Sequence, residues 1–225
     1  MRPATAVLVF MLSVSAGFAA KERFDLVVRG GTVYDGTGAP GRKADVGFRG
    51  DRIAAVGDLS NSEAGRVVDA KGLAVSPGFI NMLSWATDSL IVDGRSMSDI
   101  KQGVTLEIFG EGWSMGPLTD AMKKEAAALQ GDIKYDITWT TLGEYLDQLI
   151  ARGVSPNVAS FVGATTLRIH ELGYADRAPA PEELARMQGL VREAMREGAL
   201  GVGASLIYAP AFYAKPDELL ALTNA

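Results

Sequence analysis

Near Ser76 the chain changes its rhythm, and that change limits the folds open to it. From Phe24 to Val75 the apolar runs are short: Phe24-Asp25-Leu26-Val27-Val28-Arg29, Thr32-Val33-Tyr34, Asp45-Val46-Gly47-Phe48, Arg52-Ile53-Ala54-Ala55-Val56 and Arg66-Val67-Val68-Asp69. Gly30-Gly31, Asp35-Gly36, Gly50-Asp51 and Lys71-Gly72 punctuate them. Short runs separated by turn residues predict a small antiparallel β-unit. Beyond Ser76, strand-like runs over Gly78–Leu83, Val104–Phe109, Asn157–Val162 and Leu200–Ile207 alternate with helical stretches over Ser89–Gln102, Leu142–Arg152, Pro181–Glu197 and Pro216–Leu222. A repeated β-then-α order predicts parallel strands joined by helical crossovers, an α/β architecture. A closed eight-stranded α/β barrel takes about 250 residues, so the stretch from Ser76 to Ala225 suffices for about half of one. The chain ends within a helical pattern, and the expectation is the N-terminal part of a longer gene product.

The helix between Pro181 and Gly198 is the most sharply written element. Pro181 and the acidic pair Glu182-Glu183 suit its first turn, and Gly198 suits its end. Leu184, Met187, Leu190, Val191, Ala194 and Met195 recur at helical spacing and are expected to pack in the core.

Charge and composition remove whole classes of function. Lys+Arg 22 against Asp+Glu 27 gives a net charge of −5 with no dense basic run, which argues against a nucleic-acid partner. The chain has no cysteine, so a disulfide framework, a thiolate metal site and a cysteine nucleophile are all excluded. Its single histidine, His170, rules out a two-histidine metal site within this sequence. The glycine doublets lack the spacing of a dinucleotide or phosphate loop. At the start, Arg2, the apolar run Ala6 to Val14 and the small residues Ser15 to Ala20 have the layout of a secretory signal peptide. Cleavage near Ala19 or Ala20 would leave a secreted or periplasmic protein without a stable membrane anchor. The expected divisions are residues 1–20 as signal peptide, 21–75 as the β-unit and 76–225 as the β/α unit.

Several blocks carry a resemblance to a known family. These are Asp25 to Gly38, Ala44-Asp45-Val46, Gly50-Asp51-Arg52-Ile53, Asp69-Ala70-Lys71-Gly72 and Ser76-Pro77-Gly78-Phe79-Ile80. Together they resemble the opening of an amidohydrolase-superfamily enzyme. Gln102-Gly103-Val104-Thr105, Asn157-Val158-Ala159, Thr166-Leu167-Arg168, Gly198-Ala199-Leu200-Gly201 and Leu206-Ile207-Tyr208-Ala209-Pro210 are similar to the N-acyl-D-amino-acid deacylase branch. The resemblance implies a small β-sandwich followed by an incomplete TIM-like barrel of about the first four β/α units. It also implies hydrolysis of a linear amide C–N bond by metal-activated water, with an N-acyl amino acid or related amide as substrate. The catalytic aspartate and the later histidine ligands are expected beyond Ala225, in the half of the barrel that this chain lacks.

The departures from the family pattern are as informative. Where the family's first barrel strand reads Pro-Gly-Phe-Ile-Asp-x-His-x-His, this chain places Leu83 and Trp85 at the two histidine positions, so a binuclear site is not expected. On the second strand, Gly112 stands at the position of the cysteine ligand, with Glu111 beside it. Strand alternation sends Thr105, Glu107, Phe109 and Glu111 to the inner face, Glu111 at the C-terminal mouth. Glu111 is therefore the candidate oxygen ligand to at most one Zn²⁺, the alternative being a carboxylate that binds loop amides or an arginine. Ser205 and Tyr208 are candidate substrate-binding residues, with packing as the other reading of Tyr208. Trp113 and Met115 are placed at the floor of an acyl pocket. His170 is expected on a surface loop or short helix, and Asp120 to Glu125 as a solvated helical face. The competing function is a non-catalytic binding or scaffold protein with a degenerate metal site, for which Leu83, Trp85 and Gly112 argue. A cyclic-amide or isoaspartyl-peptide hydrolase on the same frame is a third.

Overall fold

The computed structural model describes residues 21–225, so the leader expected at residues 1–20 lies outside the described residues. The described chain forms two compact units, residues 21–77 and 78–225.

The first unit is a five-stranded sheet of β1 (Arg23–Val33), β2 (Arg42–Arg49), β3 (Arg52–Gly57), β4 (Glu63–Asp69) and β5 (Ala74–Val75). The two-residue turn Gly50-Asp51 closes the β2–β3 hairpin, with Arg49 paired to Arg52 and Gly50 at φ 57°. The sequence predicted an antiparallel unit; the sheet is mixed. β1 pairs antiparallel with β2 but parallel with both β4 and β5. The cause is the connection after β3, which crosses the sheet to the far edge of β1 instead of turning back. Leu59, on that connection, is buried against Phe24 and Val27. Asp45 holds the crossing in place, accepting from the Gly30 N–H at 2.8 Å and the Leu59 N–H at 3.2 Å. Gly30, at φ 75°, sits in the register shift that bends β1 between Val28 and Gly31.

The second unit contains β6 (Phe79–Asn81), α1 (Thr87–Val92), α2 (Met97–Ile100), β7 (Val104–Phe109), α3 (Asp120–Leu129), α4 (Leu142–Arg152), β8 (Asn157–Ser160), β9 (Val162–Gly163), α5 (Ala164–Leu172), α6 (Pro181–Arg196), β10 (Val202–Gly203) and α7 (Pro216–Thr223). β6, β7 and β8 pair in that order and all in parallel, and β9 pairs in parallel with β10. β8 and β9 are two halves of one extended stretch. The Phe161 N–H donates to Phe109 O on one side, and the Val162 N–H to Gly201 O on the other. The expected alternation of parallel strand and helix is thus present.

Two expected elements differ. The helix expected over Ser89–Gln102 is two short helices, broken at Gly94. The chain of residues 153–155 approaches there so closely that a Cβ on Gly94 would lie 2.6 Å from Gly153 O, and the Ser155 N–H donates to Gly94 O at 2.7 Å. The strand expected over Leu200–Ile207 shrinks to Val202–Gly203. Beyond it the chain enters turns, held where the Phe212 N–H reaches Tyr208 O and the Tyr213 N–H reaches Pro210 O.

The core of this unit lies between the strands and α4, α5 and α6. Leu142, Tyr145 and Leu149 of α4 share one buried cluster with Met187, Val191 and Ala194 of α6 and with Trp139, Phe109 and Leu167. Thr141 and Glu144 form a reciprocal cap that starts α4. Glu183 accepts from the Ala180 N–H at 2.7 Å to start α6, and the Arg177 guanidinium beside it holds its carboxyl down at about 2. Of the apolar stripe expected in the core, Met195 is exposed instead.

One ion pair is wholly internal. Arg168 of α5 donates twice through Nη1 to the Glu218 carboxylate of α7, at 2.8 and 2.5 Å, and its Nη2 reaches the backbone oxygens of Ala175 and Arg177. Removing one member strands the other in a low-dielectric interior, whereas removing both leaves no orphaned charge. Glu218→Leu is expected to lower the unfolding free energy by about 3–5 kcal/mol. The double variant Arg168→Met/Glu218→Leu should recover most of that loss, as read by urea denaturation.

Candidate functional site

The C-terminal ends of β7, β9 and β10 meet through glycine. Gly110, at φ 89°, ends β7 so close to the next strand that a Cβ would lie 2.1 Å from Phe161 O. A Cβ on Gly163 would lie 2.2 Å from Gly112 O, and one on Gly203 2.0 Å from Gly110 O. No side chain fits between these backbones. The loop that leaves β7 is then stitched to the start of α5. The Thr165 N–H donates to Gly112 O at 3.0 Å, the Gly163 N–H to Ser114 Oγ at 3.0 Å, and the Ser114 N–H to Thr166 Oγ1 at 2.8 Å.

Glu111 lies between two of these glycines and is exposed. Among the described residues it makes no hydrogen bond or ion pair, so neither the loop amides nor an arginine engages it. Gly112 next to it is buried, and the position its Cβ would take is 2.8 Å from Ser205 Cβ and 3.1 Å from Ser205 N. Ser205 therefore fills the space that a side chain at residue 112 would need. Tyr208 is exposed on the turn beyond β10. The fold brings Ser205 beside the Glu111-Gly112 step.

Glu107 behaves oppositely to Glu111. It is wholly buried, and the Ser84 hydroxyl donates to its Oε2 while the Ser96 hydroxyl lies 3.4 Å from its Oε1. Strand alternation put both carboxylates on the inner face; Glu111 is exposed instead, because the chain has left the strand at Gly110. Ser84 and Ser96 were not singled out from sequence. The available signal was that an inward-facing strand carboxylate needs donors, which a lysine-free, arginine-free strand does not itself supply.

A cavity of about 220 Å³ opens beside this loop. Trp85, Trp113, Met115, Met122, Tyr135 and Trp139 line it, together with Ser84, Gly110 and Glu111. Three of the lining aromatics spend their polar atoms on protein partners. Trp139 Nε1 donates to Met115 O at 2.5 Å, the Tyr135 hydroxyl to Asp88 Oδ1 at 2.7 Å, and the Tyr174 hydroxyl to Glu125 Oε1 at 2.7 Å. Burial, then the Glu125 carboxylate, pushes the Tyr174 phenol up to about 12. Burial and Asp88 raise Tyr135 as well. Trp113 and Met115 are both in this wall, where the sequence reading put an acyl pocket. His170 is half-buried within α5, its Nδ1 3.0 Å from Glu171 Oε1, and it lies outside the cavity.

The described residues offer no group of three or more His, Cys, Asp or Glu side chains able to hold a metal ion. Leu83 and Trp85 are apolar and exposed at 50% and 64%, and Glu111 stands alone as an oxygen donor at the mouth. These residues do not by themselves assemble a metal site.

Adding a side chain at residue 112 tests the glycine contact directly. Gly112→Cys is expected to destabilise the chain by about 1–3 kcal/mol through overpacking against Ser205. Ser205→Gly in the same chain should return most of that, with thermal unfolding as the measurement.

No protein-family model matches the chain. The D-aminoacylase of Alcaligenes xylosoxydans xylosoxydans is 41% identical over 199 residues, which is 88% of this chain and 41% of that protein. A crystal structure of a D-aminoacylase, described as defining a subset of amidohydrolases, superposes with a TM-score of 0.80 at 38% identity, over 89% of this chain and 42% of that one. The N-acyl-D-glutamate deacylase of Bordetella bronchiseptica, in complex with zinc and a phosphonate mimic of the tetrahedral intermediate, gives 0.76 at 34% identity, again over 89% and 42%. The chain spans about two fifths of the length of these relatives. The chain is thus a homologue, along nearly nine tenths of its own length, of the D-aminoacylases and N-acyl-D-amino-acid deacylases of the amidohydrolase family.

Proposed function

We propose that this chain supplies part of an exported amidohydrolase that cleaves the linear amide C–N bond of an N-acyl-D-amino acid. The observation that carries the reading is 41% identity to a D-aminoacylase over 88% of the chain. The succession of parallel strands and helices in residues 78–225 supports assigning it to the first staves of a β/α barrel, and the five-stranded sheet to part of a small β-sandwich. Because the relatives are longer, the activity proposed is that of a polypeptide of their full extent.

Zinc, when bound in such an enzyme, lowers the pKa of its water and polarises the amide carbonyl. Glu111 is our proposed oxygen donor to a single Zn²⁺, as a carboxylate without a partner among the described residues, just past the C-terminal end of a parallel strand, where α/β barrels place their chemistry. The remaining donors would come from outside the described residues. Ser205, beside the Glu111-Gly112 step, and Tyr208, on the turn after β10, are proposed to contact the substrate. The leader at residues 1–20 would direct the protein to the periplasm or outside the cell.

A second reading is a non-catalytic binding or scaffold relative. Leu83, Trp85 and Gly112 favour it, since all three stand where the family pattern places metal ligands, and Gly112 has no room for a side chain.

Elemental analysis separates the two. A complete polypeptide carrying this sequence is expected to bind one zinc and release free D-amino acid from an N-acyl-D-amino acid, whereas the 225-residue chain alone should release none. Glu111→Gln should cut both zinc content and hydrolysis of the complete polypeptide by tenfold or more, about the scale of losing over 1.4 kcal/mol of interaction. Zinc content untouched by Glu111→Gln would end the role given to that residue. A folded complete protein without metal or activity would leave the scaffold.

A further inference from the structure

We infer that the cavity between the loop after β7, helix α3 and the 135–139 segment receives a medium-length apolar acyl tail, which makes N-acyl compounds with chains of about six to eight carbons preferred over acetyl ones. The inference rests on the deacylase reading and deepens it by naming the acyl class.

Size is the first argument. An engineered apolar cavity of about 150 Å³ takes up benzene, and this one, at about 220 Å³, has room for a longer unbranched chain. An acetyl group would leave most of it unfilled, with its lining atoms lacking contacts. Polarity is the second. The hydroxyls of Tyr135 and Tyr174 and the indole N–H of Trp139 are each satisfied by a partner other than the ligand. A guest beside these three meets ring faces and aliphatic or thioether side chains, and Met115 and Met122 can adapt to a flexible chain. Charge is the third. The lining includes the carboxylates Glu111 and Glu125 and no lysine, arginine or histidine. A free fatty-acid carboxylate would find no counter-charge and two like charges. In an N-acyl-D-amino acid the group joined to the tail is an uncharged amide and the carboxylate lies beyond it, farther from the lining than the carboxylate of a fatty acid, so the tail enters with less repulsion.

All three tryptophans of the chain, Trp85, Trp113 and Trp139, line this cavity, so intrinsic fluorescence reports on it directly. The 225-residue chain is titrated with N-octanoyl-D-alanine, N-acetyl-D-alanine and octanoate. The octanoyl amide should shift the tryptophan emission with a half-saturation at least about tenfold below that of the acetyl amide, since each buried methylene adds to binding. Octanoate should bind more weakly than the octanoyl amide. Ala126→Phe, which intrudes into the cavity from α3 without adding a tryptophan, should abolish the chain-length preference, and the smaller Ala126→Leu should reduce it. Equal half-saturation for octanoyl and acetyl amides, octanoate binding as tightly as the amide, or a preference unchanged in both Ala126 variants would overturn the inference. The readout is binding, so it is separate from turnover. Hydrolysis by a complete polypeptide without chain-length preference would sink the tail pocket and leave the deacylase reading standing, and tail binding without hydrolysis would do the reverse.

Discussion

The second unit depends on backbone touching backbone. At the ends of β7, β9 and β10 the main chains approach within a distance that excludes even a methyl group, and Gly110, Gly112, Gly163 and Gly203 are what allow it. Everything proposed for chemistry hangs on this closure. It throws residue 111 off the strand and into solvent, packs Ser205 into the place of an absent side chain, and lets the following loop reach Thr165 and Thr166 at the start of α5. A side chain at residue 112 would therefore meet Ser205 directly.

The contrast between Glu107 and Glu111 shows how position on one strand divides the work of two carboxylates. Glu107 remains within the strand, out of water, and its oxygens are met by serine hydroxyls from residues 84 and 96. That arrangement ties β7 to the segments after β6 and α1, and suits a structural role. Glu111, four residues on, is exposed and makes no hydrogen bond or ion pair among the described residues. A group with that freedom is available to a ligand at little desolvation cost, which is why the functional proposal rests on it and not on its buried neighbour.

Much of the architecture was legible because it is written locally. Helix α4 begins with its Thr141 cap and ends at Gly153, and α6 carries Pro181 and an acidic first turn; both fell where periodicity put them. The β/α alternation was equally plain. What the sequence hid depends on contacts between distant segments. Nothing near Gly94 announces that residues 153–155 will press against it and break a helix. Nothing in the glycine-punctuated first unit reveals that the chain crosses the sheet after β3. The buried pairing of Arg168 with Glu218 joins residues fifty positions apart. At the site, Glu111 was found by strand alternation, but its exposure was not, because alternation assumes that the strand continues past Gly110. Ser205 was noticed for its place after a strand, and its packing against Gly112 is a tertiary fact with no local signature.

The crossing after β3 also bears on how the first unit assembles. Strands β1 to β3 join through consecutive hairpins and can zip from their turns, whereas β4 must travel across the sheet before Ala64 can meet Phe24. Chain closure over that span comes late relative to local pairing. Until it is complete, the outer side of β1 offers a long row of unpaired amides and carbonyls to any other extended chain. Leu59, by anchoring the traverse beneath Phe24 and Val27, shortens that vulnerable interval, so a polar residue there would show itself first as self-association during synthesis, before any defect in the finished fold.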